Sequence, residues 1–466
     1  MSDPQKTNDD DLEASLYAKR QKIYPREVSG IFAKLRWLAV FALMGGYYLV
    51  PWFNLEGRQM LLLDLPERKF HILYWTFWPQ DFFYLAAILI IAALSLFFFT
   101  AIAGRLWCGY ACPQTVWTEV FMWFEHKIEG DRPKQIKLEK MPWNFYKIRT
   151  KAFKHFVWIA ISLWTGLTFV GYFSPIRELW SDLMLWQTGA WETFWIFGYG
   201  FATWGNAGFM REQVCIYMCP YARFQSAMFD NDTMTVTYDE ARGEPRGGRK
   251  KSIDYKQEGL GSCIDCSICV QVCPTGIDIR DGMQYECIGC AACIDACDDV
   301  MDQMGYEKGL IRYTTLNILN GGEQKILRPR VFVYASILIL ITSALFYSIA
   351  TRIPIELDVI RDRNKLFTET YDGMIENVYS LRLINKDQKD HKFKLLVKGI
   401  EDLQITSDHE IVSLKTGEVI TIAVRLKADP YKLNERSVPI QFTMQSINQT
   451  DLVKTEEAKF LGPFIK

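Results

Sequence analysis

Uncharged apolar runs alternate with polar blocks along the chain as far as residue 351. Five runs of 18 to 23 residues lie at 37–55, 82–104, 156–176, 193–210 and 331–351. Because a helix needs roughly 20 apolar residues to cross a bilayer, these runs predict five membrane-spanning helices. The fourth run contains several glycines and Asn206, which suits a helix packed against neighbouring helices.

Beyond the last run the pattern changes to an alternation of apolar and polar side chains. The clearest example is 378–384, and similar short segments lie at 393–397, 419–426 and 438–444. A period of two is typical of strands that are buried on one face, so the region is predicted to form a small β-sandwich. Its two histidines, His391 and His409, lie among polar residues, which predicts surface positions.

Charge is balanced overall but unevenly distributed around the apolar runs. The 53 basic and 54 acidic residues give a net charge of −1, which excludes the strongly basic composition of a nucleic-acid-binding protein. Lys and Arg are concentrated in 1–36 and 105–155, with seven and ten, whereas 56–81 and 177–192 have three and one. Because basic flanks stay in the cytoplasm, the N-terminus is predicted to be cytoplasmic and the region after Arg352 to lie across the membrane. The polar first 30 residues predict no cleavable signal peptide.

Twelve cysteines lie between Cys108 and Cys297 and repeat at short fixed intervals, which is typical of metal ligands rather than of a disulfide framework. Eight of them form two tandem motifs with gaps of two, two and three residues. The motifs are Cys263, Cys266, Cys269 and Cys273 followed by Pro274, then Cys287, Cys290, Cys293 and Cys297. This is the spacing of bacterial ferredoxins that hold two 4Fe–4S clusters.

In this spacing the fourth cysteine of each motif binds the other cluster. The prediction is that one 4Fe–4S cluster is held by Cys263, Cys266, Cys269 and Cys297, and the second by Cys287, Cys290, Cys293 and Cys273. Asp298 stands where a proline commonly follows, which changes the turn but not the number of ligands. Zinc is the alternative, since Cys-x2-Cys pairs also bind it, but eight cysteines at these intervals favour iron. Two clusters in one module indicate electron transfer.

The other four cysteines form a second pair of motifs, Cys108-x3-Cys112-Pro113 and Cys215-x3-Cys219-Pro220. Each motif follows a predicted span on its cytoplasmic side, and a spacing of four residues places two thiols on one helical face. Arg105 and Arg211 precede the motifs, which predicts two halves of a pseudo-symmetric site and favours thiolate over thiol. Thiolates, with Met210 and Met218 as thioethers, suit a soft metal such as Cu(I). The alternative is that these cysteines pack as inert small side chains.

The sequence contains no glycine-rich nucleotide-binding motif, so the electrons are expected to come from a partner protein or from a quinone. The basic segment 242–251 is interpreted as a solvated linker into the ferredoxin module, with an anionic partner as the alternative.

The ordered combination of these motifs resembles the FixG/CcoG family of accessory proteins for cbb3-type cytochrome c oxidases. The resemblance extends over most of the chain and implies a multi-domain protein of the bacterial inner membrane. The predicted parts are a polar cytoplasmic tail (1–30), a four-helix transmembrane domain (31–236), a cytoplasmic two-cluster ferredoxin-like α+β module (237–325), a fifth transmembrane helix (326–352) and a periplasmic immunoglobulin-like β-sandwich (353–466).

The resemblance also implies a cupric reductase that converts Cu(II) to Cu(I) for the oxidase. Two 4Fe–4S clusters are then the expected cofactors, and Cys108, Cys112, Cys215 and Cys219 are the candidate catalytic and copper-binding residues. Expected partners are the membrane, a copper chaperone or copper-exporting ATPase, oxidase assembly factors and a second copy of the chain, but not nucleic acid. Two alternatives stay open: a quinol-oxidising subunit, similar to the membrane ferredoxins of periplasmic nitrate reduction, and a non-enzymatic assembly scaffold or redox sensor.

Overall fold

The computed structural model describes residues 22–463 except 56, 253, 363, 364, 388, 408–410 and 450. Most of the predicted tail, and His409, therefore lie outside the described residues. The helices in the described part are α1 (Ile31–Leu49), α2 (Phe82–Ala103), α3 (Leu106–Tyr110), α4 (Pro113–Glu129), α5 (Arg132–Lys140), α6 (Phe145–Val170), α7 (Ile176–Met184), α8 (Ala190–Thr203), α9 (Pro220–Ser226), α10 (Glu240–Gly243), α11 (Ile268–Gln271), α12 (Ala292–Met304), α13 (Leu316–Leu319) and α14 (Pro329–Ala350).

The strands are short up to residue 314 and longer near the C-terminus. They are β1 (Asn54–Leu55), β2 (Arg58–Gln59), β3 (Leu61–Asp64), β4 (Lys69–Ile72), β5 (Trp75–Phe77), β6 (Thr235–Tyr238), β7 (Ile311–Thr314), β8 (Ile355–Arg361), β9 (Thr368–Glu369), β10 (Ile375–Asn385), β11 (His391–Lys398), β12 (Gln404–Ser407), β13 (Ile411–Leu414), β14 (Val419–Ala428), β15 (Ser437–Ser446) and β16 (Val453–Leu461).

Three helical segments of the described chain are long and apolar enough to cross a membrane: Pro79–Ala103, Phe145–Val170 and Pro329–Ala350. They overlap the second, third and fifth predicted spans, although the helix in the third begins and ends earlier than the predicted 156–176. The other two predicted spans are also largely helical, because α1 covers most of the first and α8 continues into a π-helical turn in the fourth. That these two helices cross the membrane stays a prediction.

The chain divides into two compact units. The first takes in the chain up to Arg68 together with Phe83–Ile341, and so contains all twelve cysteines. Around the ferredoxin motifs, β6 pairs with β7 in an antiparallel ribbon. Apolar side chains of this ribbon and of α12 form a small core with the cysteine loops, and this core includes Val236, Ile311 and Met301. Burial of these apolar side chains stabilises the cysteine loops, which contain little regular secondary structure.

The second unit comprises Lys69–Phe82 and Thr342–Lys466. Its core is a sandwich of two antiparallel sheets, with strand orders β12–β14–β10–β8 and β13–β11–β15–β16, and β9 adds to β10. The inward residues of β10, among them Tyr379, Leu381 and Leu383, are fully enclosed, while the residues between them are half-buried. This alternation confirms the strands predicted at 378–384, 393–397, 419–426 and 438–444.

One prediction for the sandwich is wrong. His391 is not a surface residue: it is only 3% exposed, its Nε2 lies 2.7 Å from the Asp387 carboxylate, and its Nδ1 lies 3.3 Å from the Ser446 hydroxyl. One partner, Asp387, is among the polar residues close to His391 in sequence, and the other, Ser446, comes from a distant strand, so polar neighbours did not indicate exposure.

The hairpin of β4 and β5 belongs to this unit and was not predicted. Asp81, shortly after the hairpin, accepts hydrogen bonds from Arg352 at 2.5 Å and from Lys386 at 3.3 Å. Lys386 also pairs with Glu356 of β8, and its side chain is 5% exposed. Buried charges need such partners, so this ion cluster fixes the end of the hairpin to the sandwich.

Candidate functional site

The two ferredoxin loops have the same backbone conformation. In the first loop the residues on either side of Cys266 have positive φ angles, +52° at Asp265 and +55° at Ser267. In the second loop the residues on either side of Cys290 do the same, +66° at Gly289 and +59° at Ala291. Non-glycine residues rarely adopt this left-handed region. Its repetition at matched positions shows that each loop wraps around an enclosed space in one particular way.

The thiols of these loops line two separate cavities. One cavity is lined by Cys263, Cys266, Cys269 and Cys297, and the other by Cys273, Cys287, Cys290 and Cys293 together with Cys269. The fourth cysteine of each motif thus lies beside the cavity of the other motif, as the crossed arrangement requires. Each cavity is lined by at least the four thiols that a 4Fe–4S cluster needs, so the residues present fit two clusters.

The two cavities differ in exposure. Cys266 is exposed, whereas the cysteines of the second cavity are half-buried or more deeply enclosed. Burial, with a smaller contribution from neighbouring thiols, raises the pKa of Cys297 and of Cys290 to about 12, although Arg36 lowers that of Cys290. These thiols are therefore neutral on their own, and binding of iron is what would stabilise them as thiolates.

Asp298 explains the departure from the usual proline. Helix α12 continues through this position to Met304, which a proline would disfavour, and the Asp298 carboxylate accepts the backbone N–H of Gly309 at 2.9 Å. The substitution lengthens the helix and fixes the following loop.

Helix α1 is fastened to the second ferredoxin loop, a contact that the sequence did not indicate. The Asp295 carboxylate accepts hydrogen bonds from the backbone N–H groups of Phe32 at 3.2 Å and Ala33 at 2.7 Å. These bonds cap the start of α1. One turn further on, Arg36 donates to the carbonyl oxygen of Cys290 at 2.6 Å. The sequence did not indicate this contact, because Asp295 and the start of α1 are far apart in the chain and no motif links them.

The first Cys-x3-Cys-Pro motif lies directly on the second ferredoxin loop. A Cβ added to Gly109 would lie 2.7 Å from the carbonyl oxygen of Gly289 and 3.0 Å from the Cα of Cys290. Arg105 donates to the carbonyl oxygens of Tyr285 and Cys287, so the same segment also holds the ferredoxin module by its side chain. Only glycine permits such a close backbone approach.

Within each Cys-x3-Cys-Pro motif the second cysteine is extended and precedes a new helix. Cys112 has φ −62° and ψ 128° before Pro113, and Cys219 has φ −78° and ψ 111° before Pro220. Proline disfavours a helical residue before it and suits the first turn of the helix after it. The prediction that both thiols of a motif share one helical face is therefore wrong, since the chain turns between them.

Hydrogen bonds join the two motifs to each other. Gln114 donates to the carbonyl oxygens of Asn206 at 3.0 Å and Arg211 at 3.1 Å, and Arg105 donates to that of Ala222 at 2.7 Å. The amide nitrogen of Gln225 lies 3.6 Å from the Cys108 sulfur. Segments far apart in sequence thus form one site that contains Cys108, Cys112, Cys215 and Cys219.

Of the two arginines predicted to favour thiolate, Arg105 lowers the pKa of Cys108 and Cys215, but burial outweighs it. Burial, with a smaller contribution from neighbouring thiols, raises the pKa of Cys215 to about 12 and that of Cys108 to about 11. Arg211 is engaged elsewhere: it donates to Glu125 at 2.6 Å and to the Gly208 carbonyl oxygen at 3.0 Å. The two arginines therefore break the predicted pseudo-symmetry, because one holds the ferredoxin module and the other a buried carboxylate.

Glu125 is expected to position the second motif. Burial alone would raise its pKa, but Arg211, Lys154 and Lys22 outweigh burial and lower the pKa of Glu125 to about 2. Arg211 has a φ of +43°, so its ion pair holds a strained backbone just before Cys215. Glu125→Gln should destabilise the protein by about 3–5 kcal/mol, because it leaves buried cations without their partner.

The pH dependence follows from the lowered pKa of Glu125. Its folded pKa lies below its ordinary value near 4.5, so its stabilisation is complete above that value and is lost as the pH falls towards 2. The difference in melting temperature between wild type and Glu125→Gln should be constant from about pH 8 to 5 and shrink below about pH 4.5. Glu139→Gln is the matched control, because its ion pair with Lys151 is half exposed and should cost under about 1 kcal/mol. A pH-independent difference for Glu125→Gln would contradict the assignment.

Among the described residues, no three Cys, His, Asp or Glu side chains converge as ligands of a single metal ion. This holds for the ferredoxin thiols too, and a four-iron cluster binds each thiolate on a separate iron rather than all four on one ion.

Three family models match the chain. Residues 210–316 match a 4Fe–4S dicluster domain, residues 85–130 match a 4Fe–4S binding domain, and residues 345–463 match the immunoglobulin-like fold at the C-terminal of FixG. The second of these segments contains Cys108 and Cys112 and no other cysteine.

The relatives cover most of the chain. The nitrogen fixation protein FixG of Rhizobium meliloti is 39% identical over 83% of this chain and 80% of its own length. Protein RdxA of Cereibacter sphaeroides is 42% identical over 84% of this chain and 85% of its own length. A crystal structure of a FixG-related protein from Vibrio parahaemolyticus is 33% identical over 24% of this chain and 98% of its own, with a TM-score of 0.22.

These domains define an iron–sulfur protein of the electron-transfer class, with a two-cluster ferredoxin domain and an immunoglobulin-like C-terminal domain. At close to 40% identity over four fifths of both chains, this chain belongs to the FixG/CcoG family.

Proposed function

We propose that the protein is a membrane-bound cupric reductase that supplies Cu(I) for assembly of a cbb3-type cytochrome c oxidase. The observation that carries the proposal is the backbone contact of Gly109 with Gly289 and Cys290. It connects the second ferredoxin loop with the four thiols of the Cys-x3-Cys-Pro motifs, so the two groups of cysteines form one continuous path.

The residues have distinct roles along this path. Cys263, Cys266, Cys269 and Cys297 would hold the first cluster, with Cys266 at the surface, where a donor has access. Cys273, Cys287, Cys290 and Cys293 would hold the second cluster in the interior. When bound, such clusters accept and release single electrons. Arg36 and Asp295 fix the second loop against α1, and Gly109 keeps the membrane-surface thiols beside it.

Copper is the substrate in this proposal. One electron converts one Cu(II) to one Cu(I), with no bond to carbon formed or broken. Cu(II) prefers nitrogen and oxygen ligands, whereas Cu(I) prefers thiolate and thioether, so reduction changes which carrier can hold the ion. The site of Cys108, Cys112, Cys215 and Cys219 is the end of the path, where an electron would reach Cu(II), and the Cu(I) formed would pass to a copper chaperone or a copper-exporting ATPase.

The proposal places the chain in the bacterial inner membrane with five spans. Three helices are long and apolar enough for this role. The concentration of basic residues in 1–36 and 105–155 supports a cytoplasmic N-terminus and ferredoxin module, and hence a periplasmic β-sandwich.

The test is anaerobic reduction of Cu(II) by detergent-solubilised protein whose clusters have been reduced with dithionite and freed from excess reagent. Cu(I) is followed with a Cu(I)-specific chelator. Cys108→Ser/Cys112→Ser and Cys215→Ser/Cys219→Ser should each slow the reaction by roughly tenfold or more while the ferredoxin signal in electron paramagnetic resonance persists.

Tyr217→Ala is the matched control, because Tyr217 is exposed in the same turn as Cys215. An unchanged rate in both double variants would remove these thiols from the path. If copper reduction also survives Cys266→Ser/Cys290→Ser, the protein is a scaffold rather than a reductase.

A second candidate function, oxidation of a membrane quinol, is favoured by one cavity in the first unit. Its wall includes Trp37, Trp123, Glu119 and His126 and reaches both Cys290 and Cys215. Aromatic walls with a few polar groups are typical of sites for small organic ligands. Anaerobic reduction of the clusters by decylubiquinol, abolished in Trp123→Ala but kept in Trp143→Ala, would support this function, and failure of the quinol to reduce the clusters would exclude it.

A further inference from the structure

The two Cys-x3-Cys-Pro motifs present their thiols in the same way. Each has one cysteine in a helical turn and a second cysteine in extended backbone immediately before a helix-starting proline. The hydrogen bonds from Gln114, Arg105 and Gln225 bring the two motifs together. Two copies of one loop thus converge, as the two copies of the ferredoxin loop do.

All four thiols belong to this one site. Each is half-buried rather than exposed, and Cys108 and Cys215 both have thiols of the opposite motif among the charges that act on them. The site therefore offers four sulfur ligands, shielded from solvent, from segments about one hundred residues apart. If these cysteines were only small packing side chains, neither the repeated motif nor the position of all four in one site would be required.

The chemistry of four thiolates narrows the choice of metal. Such donor sets bind Cu(I), zinc or iron–sulfur clusters. A single copper or zinc ion with three or four thiolate ligands needs them to converge on one point, which no three cysteines do among the described residues. The match of residues 85–130 to a 4Fe–4S binding domain, with Cys108 and Cys112 as its cysteines, favours iron.

We propose that Cys108, Cys112, Cys215 and Cys219 hold a third iron–sulfur cluster at the membrane surface. The contact of Gly109 with Gly289 places this site next to the second ferredoxin loop, so it would extend the electron path by one step towards the membrane. The role of this third cluster rests on the proposed electron-transfer function. Its presence does not, because the metal content can be measured whether or not the protein reduces copper.

The test is the iron and acid-labile sulfide content of the full-length chain, reconstituted and purified without oxygen. We expect about twelve atoms of each per chain, against about eight if the ferredoxin module alone is loaded. Cys108→Ser/Cys112→Ser and Cys215→Ser/Cys219→Ser should each lower both values by about four. In spin quantitation of the fully reduced protein, each double variant should lose about one third of the signal of the wild type.

Tyr217→Ala is expected to keep the wild-type content, because Tyr217 lies in the same turn as Cys215 but is not one of the four ligands. A wild-type content of about eight atoms overturns the proposal even if a double variant fails to fold. Stoichiometric zinc or copper that is lost with these cysteines would also overturn it.

The outcome separates this inference from the proposed function. Eight irons with copper reduction intact would refute the third cluster alone, whereas twelve irons without copper reduction would refute the cupric reductase alone.

Discussion

Cys290→Ala is expected to cost the protein about four iron atoms per chain and to slow dithionite-driven Cu(II) reduction by roughly a hundredfold or more. Cys290 lines the inner cavity. Its carbonyl oxygen accepts a hydrogen bond from the Arg36 guanidinium at 2.6 Å, and its Cα lies beside Gly109. Loss of this ligand would therefore remove the cluster at the backbone contact between the ferredoxin loop and the first Cys-x3-Cys-Pro motif.

Cys266→Ala is the matched comparison, because Cys266 occupies the same position in the first loop but is exposed. When a cluster is bound, water would be able to replace this exposed ligand, so we expect a smaller loss of iron and a smaller effect on copper reduction driven by dithionite. Iron analysis and the rate of Cu(I) formation are measured on the same preparations. Equal losses in the two variants would contradict the assignment of an outer and an inner cluster.

Gly109→Ala is expected to slow electron transfer to Cu(II) by roughly tenfold or more while the iron content stays unchanged. The added methyl group would lie 2.7 Å from the carbonyl oxygen and 2.9 Å from the carbonyl carbon of Gly289. Both are backbone atoms and cannot rotate away, so the Cys-x3-Cys-Pro motif must move off the ferredoxin loop. Overpacking of this kind typically costs about 1–3 kcal/mol.

Gly198→Ala is the control, since Gly198 is also helical but has no atom within 4 Å of an added Cβ. The measurement is the stopped-flow reoxidation of reduced clusters by Cu(II), together with iron content. A Gly109→Ala variant that reoxidises at the wild-type rate would show that electrons do not cross at this contact.

The positions of the helices and strands were largely predictable because apolar periodicity is a local property. The long apolar helices, the alternating strands of the sandwich and the tandem loops all lie where the pattern indicates. Local rules failed where a partner comes from elsewhere in the chain. His391 has polar neighbours yet is buried, and Arg105 and Arg211 occupy similar positions in sequence yet bind different partners.

The sequence by itself determined the chemistry of this protein: eight cysteines at ferredoxin intervals and four more in a repeated motif, since ligand spacing within a loop is set by covalent geometry. Only the tertiary structure decided that these two groups touch. The contacts of Gly109 with Gly289, of Arg36 with Cys290 and of Asp295 with the start of α1 join segments that are 180 to 263 residues apart. No periodicity extends over such distances, because these contacts depend on backbone shape and on charges that meet only once the chain has folded.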